Sequence, residues 1–239
     1  MHAITSIWHR WKRKSGHLSR WLLPVAVCFL ELLFHFWTGG TFSPAAILNL
    51  LGFSLVFGGI LNLPAAFLPP KGSKWASALA ILFCTTVVMV ELLVEQAYGS
   101  FMRPTRILTG AAGVLTDYTD VVVEMILNNW WRILIALIPA ILVAVSGKPQ
   151  AERRRSWMLF SLVCCIVGNG AGFFGLSRMP GGISGYLSQY DFNAAIQEYG
   201  VIVSMVTEVS GLGNQEEAKV EAADPSAAVT EAETVPATV

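Results

Sequence analysis

Hydrophobic side chains gather along this chain in five blocks, each bounded by short polar or turn-forming stretches. Each block is about 16 to 24 residues long, which is the length that an α-helix needs to cross the hydrocarbon core of a bilayer. We therefore predict an all-α membrane protein with five transmembrane helices. The predicted spans are Trp21–Trp37, Pro44–Phe67, Trp75–Tyr98, Trp130–Val145 and Ser156–Gly175. The fourth is short and contains Pro139, so a start within Val121–Leu127 is an alternative.

Composition supports the membrane class. The 239 residues are 54% hydrophobic and 13% charged, about half the charged fraction of an ordinary soluble domain. All four cysteines lie inside apolar blocks, which indicates small buried side chains and no disulfide framework. The four histidines have no metal-binding spacing, so we predict neither a metal site nor a cofactor in this chain.

The positive charges predict the topology. If the basic arm, residues 1–20, is cytoplasmic, then every inner segment is basic, as the positive-inside rule requires. The inner segments hold eleven of the sixteen cations: Arg10, Lys12, Arg13, Lys14, Arg20, Lys71, Lys74, Lys148, Arg153, Arg154 and Arg155. We predict a multi-pass cell-membrane protein with a cytoplasmic N-terminus, an uncleaved first span and an extracytoplasmic C-terminus. The arm serves topology in this interpretation, and no nucleic-acid partner is expected.

The predicted membrane domain covers residues 21–176. Two regions that do not cross the membrane are predicted to lie on its outer side, one between spans three and four and one after span five. Residues 99–129 are too apolar for a solvated loop and are typical of helices lying in the interface. Residues 177–213 contain an amphipathic helix, Phe192–Val209, which Asp191 can cap. Its apolar stripe is Phe192, Ile196, Tyr199, Val203 and Val206, with Gln197, Glu198 and Ser204 off the stripe.

Residues 214–239 change character to an acidic, Ala- and Pro-containing stretch without aromatics. Such a sequence cannot bury enough apolar surface to offset the entropy of ordering. We predict a disordered linker or tail.

Four ionisable side chains fall inside the predicted spans: Glu31, His35, Glu91 and Glu95. Such groups are costly in a bilayer unless they have partners, so each is a candidate functional residue. They either form a proton or cation path, or bond across helices near the outer interface as part of the architecture.

Three arginines, Arg103, Arg106 and Arg132, lie on the outer side, where the charge rule does not ask for cations. Guanidinium groups match phosphate geometry, so these residues are candidates for binding the heads of anionic phospholipids. The alternative is pairing with the acids Glu95, Asp117 or Asp120.

The glycines near the end of the fifth span admit two interpretations. Gly170-x-Gly172-x-x-Gly175 matches a dinucleotide-binding fingerprint in letters, but no strand precedes it. Gly168-x-x-x-Gly172 is better explained as a face where two membrane helices pack closely.

The order of these features resembles the membrane portion of the lipoteichoic acid synthase family, the sulfatase-fold phosphoglycerol transferases. The similar segments are ELLVEQAYGSFMRPTRILTGAAGVLTDY at the exit of span three and YDFNAAIQEYGVIVSMVTEV after span five. The resemblance implies an anchor for an outer catalytic domain that uses a divalent metal. The nucleophilic threonine and metal ligands of that domain have no counterpart here, so we assign no catalytic residue. We expect either a truncated or split gene product or a membrane module that works alone.

The function hypothesis is accordingly a membrane-anchoring module of a lipoteichoic-acid-synthase-like transferase. Its partners would be membrane lipids and a catalytic domain or partner protein on the outer side. The alternatives are a stand-alone polytopic scaffold or subunit, or a small transporter that uses Glu31, Glu91 and Glu95.

Overall fold

The computed structural model describes residues 21–40, 42–103, 119–145, 154–179, 182 and 191–209, and all regular secondary structure in these residues is helical. The basic arm, Arg106 and the acidic tail lie outside the described residues. The helices are α1 (Trp21–Trp37), α2 (Pro44–Phe67), α3 (Pro70–Tyr98), α4 (Thr119–Asn128), α5 (Trp130–Val145), α6 (Arg154–Ser177), α7 (Phe192–Tyr199) and α8 (Val201–Val209).

Three of these helices, α2, α3 and α6, are long and apolar enough to cross a membrane. Helices α1 and α5 are apolar but shorter, and at 1.5 Å per residue each covers about 25 Å, slightly less than a typical hydrocarbon core. The described residues confirm the prediction of an all-helical protein with helices that can span a membrane. The count of five spans depends on α1 and α5.

Neighbouring helices in the bundle run antiparallel. The Cys28 thiol of α1 faces the Leu51 carbonyl of α2, while Pro24 of α1 lies against Gly58 of α2. These two helices therefore run in opposite directions. Thr85 of α3 donates to the carbonyl of Ala136 in α5, while Lys71 of α3 and Ala144 of α5 line one pocket, so these two helices also run in opposite directions. The bundle therefore has two ends. We call the one where α1 and α3 finish and α2 and α5 begin the Trp37 end.

Helices α2 and α6 form the closest packing in the bundle. A Cβ atom added to Gly52 would lie 2.3 Å from the backbone nitrogen of Gly172, and one added to Gly168 would lie 2.6 Å from the Gly52 carbonyl oxygen. Such contact requires glycine, as in other small-residue membrane interfaces. The side chain of Asn62 reaches Ser161 at 3.3 Å in the same seam. The packing interpretation of Gly168 and Gly172 is confirmed.

The fourth apolar block is divided at Asn129. The Asn129 side chain donates to the Met125 carbonyl at 2.9 Å, and its backbone N–H also bonds back into α4. A helix therefore does occupy the earlier stretch, but it is α4, separate from α5, which begins at Trp130. Pro139 is buried inside α5.

The C-terminal amphipathic segment differs from its prediction, since Phe192–Val209 is not one helix. Gly200 has φ +95°, a backbone conformation that favours glycine, and it separates α7 from α8. The predicted cap is confirmed, because the Asp191 side chain accepts from the Asn193 N–H. The break also turns the buried face, so that Ser204, predicted off the stripe, is fully buried while Val206 is 53% exposed.

Helices α7 and α8 pack into the bundle, whereas the sequence predicts a helix on the outer side of the membrane domain. Phe192, Ile196 and Val201 are fully buried and belong to the same core as Leu30 and Leu92. Tyr199, another stripe residue, is buried against α2 and α6 through Ala46 and Leu176, while the side chain of Val203 is not described. The segment is therefore part of the membrane domain's core.

Candidate functional site

Glu31 caps the start of α8. Its Oε2 accepts from the Val201 N–H at 3.1 Å and its Oε1 from the Ile202 N–H at 2.7 Å, while the side chain is 1% exposed. The first N–H groups of a helix have no partner within the helix, and they attract negative charge. A carboxyl group from α1 therefore completes a helix that lies 170 residues further along the chain.

Glu91 binds the segment that follows α3. Gly99, with φ +66°, ends α3 and turns the chain. The Met102 N–H then donates to Glu91 Oε2 at 3.0 Å, and Phe101 packs against Phe34 with ring centroids 5.7 Å apart. The Phe101 N–H donates to Asn193 Oδ1 at 2.9 Å. This bond links residues 99–103, which we call the elbow, to α7.

Both carboxyl groups hold backbone that returns into the bundle. Glu91 lies seven residues before the end of α3, and Glu31 six before the end of α1, or about 10 Å inward along each helix axis. Non-helical backbone at that depth needs partners inside the protein, because lipid provides none. The geometry gives Glu31 and Glu91 an architectural role, because each accepts hydrogen bonds from backbone N–H groups.

His35 and Glu95 play smaller parts. His35 is 1% exposed, and its ring lies 5.0 Å from that of Phe42. A Cβ atom on Gly40 would come within 2.3 Å of the His35 ring, so glycine lets the chain pass over it. Glu95 is half-buried in the last turn of α3, one turn from Glu91.

Arg103 pairs with an acid that sequence reasoning did not consider. Its Nη1 lies 3.9 Å from Oε1 of Glu208, which is 1% exposed, while the Arg103 side chain is 30% exposed. Pairing with Glu95 is not found in the described residues. Asp117 lies outside them, and the side chain of Asp120 is not described. Arg103 is therefore engaged with α8.

Arg132 has a different environment. Its guanidinium carbon lies 5.7 Å from the ring centroid of Trp37 and 5.1 Å from that of Trp131, and the two rings meet edge to face at 6.0 Å. Its Nε and Nη1 atoms are buried, and neither has a hydrogen-bond partner in the described structure. The side chain is a cation held between two indoles with donors that lack an acceptor.

Four of the predicted site residues thus separate into two groups, while Arg106 lies outside the described residues. Glu31, Glu91 and Arg103 come together around the elbow and α8, whereas Arg132 lies at the α1–α5 contact. Sequence reasoning missed Glu208, Asn193 and Gly200. Gly200 is a possible helix break in the sequence, but the apolar periodicity continues across it and predicts a single helix.

Within the described residues, no three His, Cys, Asp or Glu side chains are placed to hold a metal ion. No family model, curated protein or solved structure matches the chain.

Proposed function

We propose that the chain is a membrane module that binds the head of an anionic lipid at Arg132. The observation that carries this proposal is the pair of buried guanidinium nitrogens of Arg132, which lie beside Trp37 and Trp131 and have no acceptor among the described residues. An unsatisfied buried donor costs about 1–3 kcal/mol, and more when it is charged. A phosphate oxygen would accept from the guanidinium fork, and tryptophan is suited to the lipid–water boundary.

In this proposal α1 and α5 cross the membrane together with α2, α3 and α6. The alternating directions of these helices support five crossings, and flanking polar residues can make up for a short apolar length. The Trp37 end is then the extracytoplasmic face, and Lys71 and Lys74, in the first turns of α3, lie at the opposite end. Arg132 would meet lipids of the outer leaflet.

The wider role that we propose is anchoring and lipid presentation for a lipoteichoic-acid-synthase-like transferase. What supports it is the order of features, with an elbow after α3 and two short helices after α6. Reading the coding sequence beyond Val239 for a sulfatase-like frame tests this role separately. An unrelated gene immediately downstream would contradict it without affecting the lipid site.

The lipid site is tested in phosphatidylcholine nanodiscs that contain a minor fraction of phosphatidylglycerol. We expect wild-type protein to enrich phosphatidylglycerol and Arg132→Gln to reduce that enrichment about tenfold, since a charged hydrogen bond contributes about 1.5–3 kcal/mol. Arg132→Lys should retain part of the enrichment, because lysine keeps the charge but not the planar fork. Co-purified lipids are quantified by mass spectrometry.

The matched control is Arg178→Gln. Arg178 lies at the same end of the bundle, 5.1 Å from the ring of Phe174, but its side chain is exposed. If any positive charge at this end of the bundle were enough to enrich phosphatidylglycerol, Arg132→Gln and Arg178→Gln would lower the enrichment equally. That result would contradict a specific site at Arg132. Added salt should weaken the wild-type enrichment only in part, because a partly buried pair is less screened than an exposed one.

A further inference from the structure

A small pocket of about 220 Å³ lies where the start of α3 meets the end of α5, at the opposite end of α5 from Arg132. Its volume is below the roughly 300–1,000 Å³ of sites that enclose a whole small molecule, so it has room for a small head group only. The described lining residues are Lys71, Lys74, Trp75 and Ala78 of α3 and Ala144 of α5.

Two alanines leave this space between the helices. Ala78 is partly buried on α3, and Ala144 is exposed near the end of α5. Because each side chain is a single methyl group, the gap stays open, and the long apolar stems of Lys71 and Lys74 can line its sides.

The pocket carries positive charge that its own two helices do not balance. Lys71 and Lys74 are three residues apart and share a face of α3. The sequence of α3 has no acidic residue before Glu91, and α5 has none. No acidic side chain is among the described lining residues either. Two cations beside one small space favour an anion, and most of all one with two negative charges.

The position of the pocket favours a lipid over a dissolved anion. Lys74 lies twenty-four residues before Tyr98, about 36 Å along α3, which is more than the roughly 30 Å of hydrocarbon in a bilayer. Lys74 is therefore at the level of lipid head groups. Trp75 is 67% exposed and Leu79, one turn further, is 62% exposed, so an apolar surface continues from the pocket along α3. Basic pockets of this kind between membrane helices bind anionic head groups.

We propose that the pocket binds a phosphomonoester lipid, such as a phosphatidic acid, with Lys71 and Lys74 donating to the phosphate and an acyl chain lying along Leu79. A phosphomonoester has a charge of about −1.5 to −2 at neutral pH, which matches two ammonium groups. Its head has no further substituent, which matches the small volume. In the topology proposed above this lipid lies in the cytoplasmic leaflet, and the pocket shares no residue with the Arg132 site.

The test uses full-length protein in phosphatidylcholine nanodiscs with a trace of phosphatidic acid that carries a diazirine near the glycerol end of one acyl chain. After illumination, labelled peptides are mapped by mass spectrometry. We expect about fivefold more labelling around Trp75–Leu79 than around Leu162 and Val163, which are exposed at a similar depth on α6. A phosphatidylcholine probe should label both regions equally. Equal labelling by the phosphatidic acid probe would overturn the proposal.

Charge variants show whether the two lysines hold the lipid. Lys71→Gln combined with Lys74→Gln should remove the excess label, because no cation then remains in the described lining. The matched control is Arg155→Gln, since Arg155 is exposed in the first turn of α6 at the same end of the bundle and does not line the pocket. Equal losses would show attraction to any charge at this end and would contradict the proposal. Loss of the label in Arg132→Gln would contradict two separate sites.

Size variants show whether the pocket itself is needed. Ala144→Leu fills the space from an exposed position and keeps both lysines, so it should lower the label as much as loss of the lysines does. Ala97→Leu adds the same atoms at an exposed position at the other end of α3 and should have no effect. An unchanged label in Ala144→Leu would mean that the lysines act only as surface charge, and the proposal would be wrong.

Two comparisons identify the head group. A phosphatidylglycerol probe, with one negative charge, should give less excess label around Trp75–Leu79 than the phosphatidic acid probe, and equal label would contradict a phosphomonoester. Inorganic phosphate should lower the label no more than sodium chloride of equal ionic strength does. A larger effect of phosphate would show that the pocket takes a dissolved anion instead of a lipid.

Discussion

The α2–α6 seam and the α8 side of the bundle bring backbones together by different means. In the seam, Gly52, Gly168 and Gly172 remove side chains so that two helices touch directly. On the α8 side, Glu31 and Glu91 reach across a gap and accept hydrogen bonds from backbone that returns into the bundle. The first arrangement leaves no room for a side chain at these glycines, whereas a cleft of about 370 Å³ lined by Phe57, Phe83 and Met205 lies on the α8 side.

This difference indicates what each side contributes. Close glycine packing is stabilised by dispersion contacts over a long interface and tolerates no added atom. Carboxyl groups that cap backbone depend on a few directional bonds, which can be weakened one at a time. We therefore expect the seam to determine whether the protein folds and the α8 side to adjust what it binds.

The largest effect should follow from Gly52→Ala. The new methyl group would lie 2.3 Å from the Gly172 nitrogen, so the helices must separate, at a cost of roughly 3 kcal/mol. Unfolding in detergent, followed by circular dichroism, measures this loss. Gly170→Ala is the matched control, because a Cβ there meets nothing within 4 Å and alanine favours the helix. Equal destabilisation by the two variants would contradict the seam.

A smaller effect is expected at Gly200. Alanine there is strained at φ +95° and places its Cβ 2.6 Å from Oε2 of Glu31, a cost of about 2 kcal/mol or more. Gly99→Ala, at φ +66° with open space around it, should cost about 1 kcal/mol from backbone strain alone. The difference between the two unfolding free energies reports the Glu31 contact. No difference would mean that the contact does not restrict the turn.

Variants of Glu91 should distinguish an architectural role of this side chain from a role in transport. Glu91→Gln keeps an oxygen for the Met102 N–H and should change stability by less than about 1 kcal/mol, while Glu91→Ala should cost about 1–2 kcal/mol by leaving that N–H unpaired. Thermal unfolding in nanodiscs compares the two. Ion flux into liposomes should be the same for wild type, Glu91→Gln and Glu95→Gln. A flux that wild type supports and both Gln variants abolish would favour the transporter alternative.

The smallest effect is expected from Asp191→Ala, which removes the side-chain cap of α7. The loss should be about 1 kcal/mol, and Asp191→Asn should restore most of it because asparagine also caps. Amide exchange at Asn193, whose N–H the cap binds, measures the local change. If the alanine and asparagine variants are equally unprotected there, the cap does not act through this bond.

Much of the fold could be predicted from hydrophobic blocks, because a membrane helix must satisfy its own backbone and be apolar along its length. The bounds of α2 and α5 agree with the predicted spans, and the Asp191 cap and Gly168–Gly172 packing are local signals. The break at Gly200 was missed because the apolar stripe continues in register through Tyr199 and Val203, and only a backbone angle distinguishes two helices from one.

The candidate sites were harder to predict. Spacing showed that Glu31 and Glu91 are unusual, but their partners lie 170 and 11 residues away and are backbone N–H groups, which have no sequence signature. Likewise, the three outer arginines look equivalent in sequence. Only the tertiary contacts separate Arg103, paired with Glu208, from Arg132, held between two indoles.

Glu31 holds α8 inside the bundle through the Val201 and Ile202 N–H groups, and hydrogen exchange in nanodiscs measures the strength of this contact. In wild type, the amides of Val201 and Ile202 should be strongly protected, and in Glu31→Ala they should exchange at least tenfold faster while amides of the α2–α6 seam stay unchanged. Glu31→Gln, which keeps one acceptor oxygen, should fall between the two. Unchanged protection of the Val201 and Ile202 amides in Glu31→Ala would show that Glu31 does not hold α8 in the bundle.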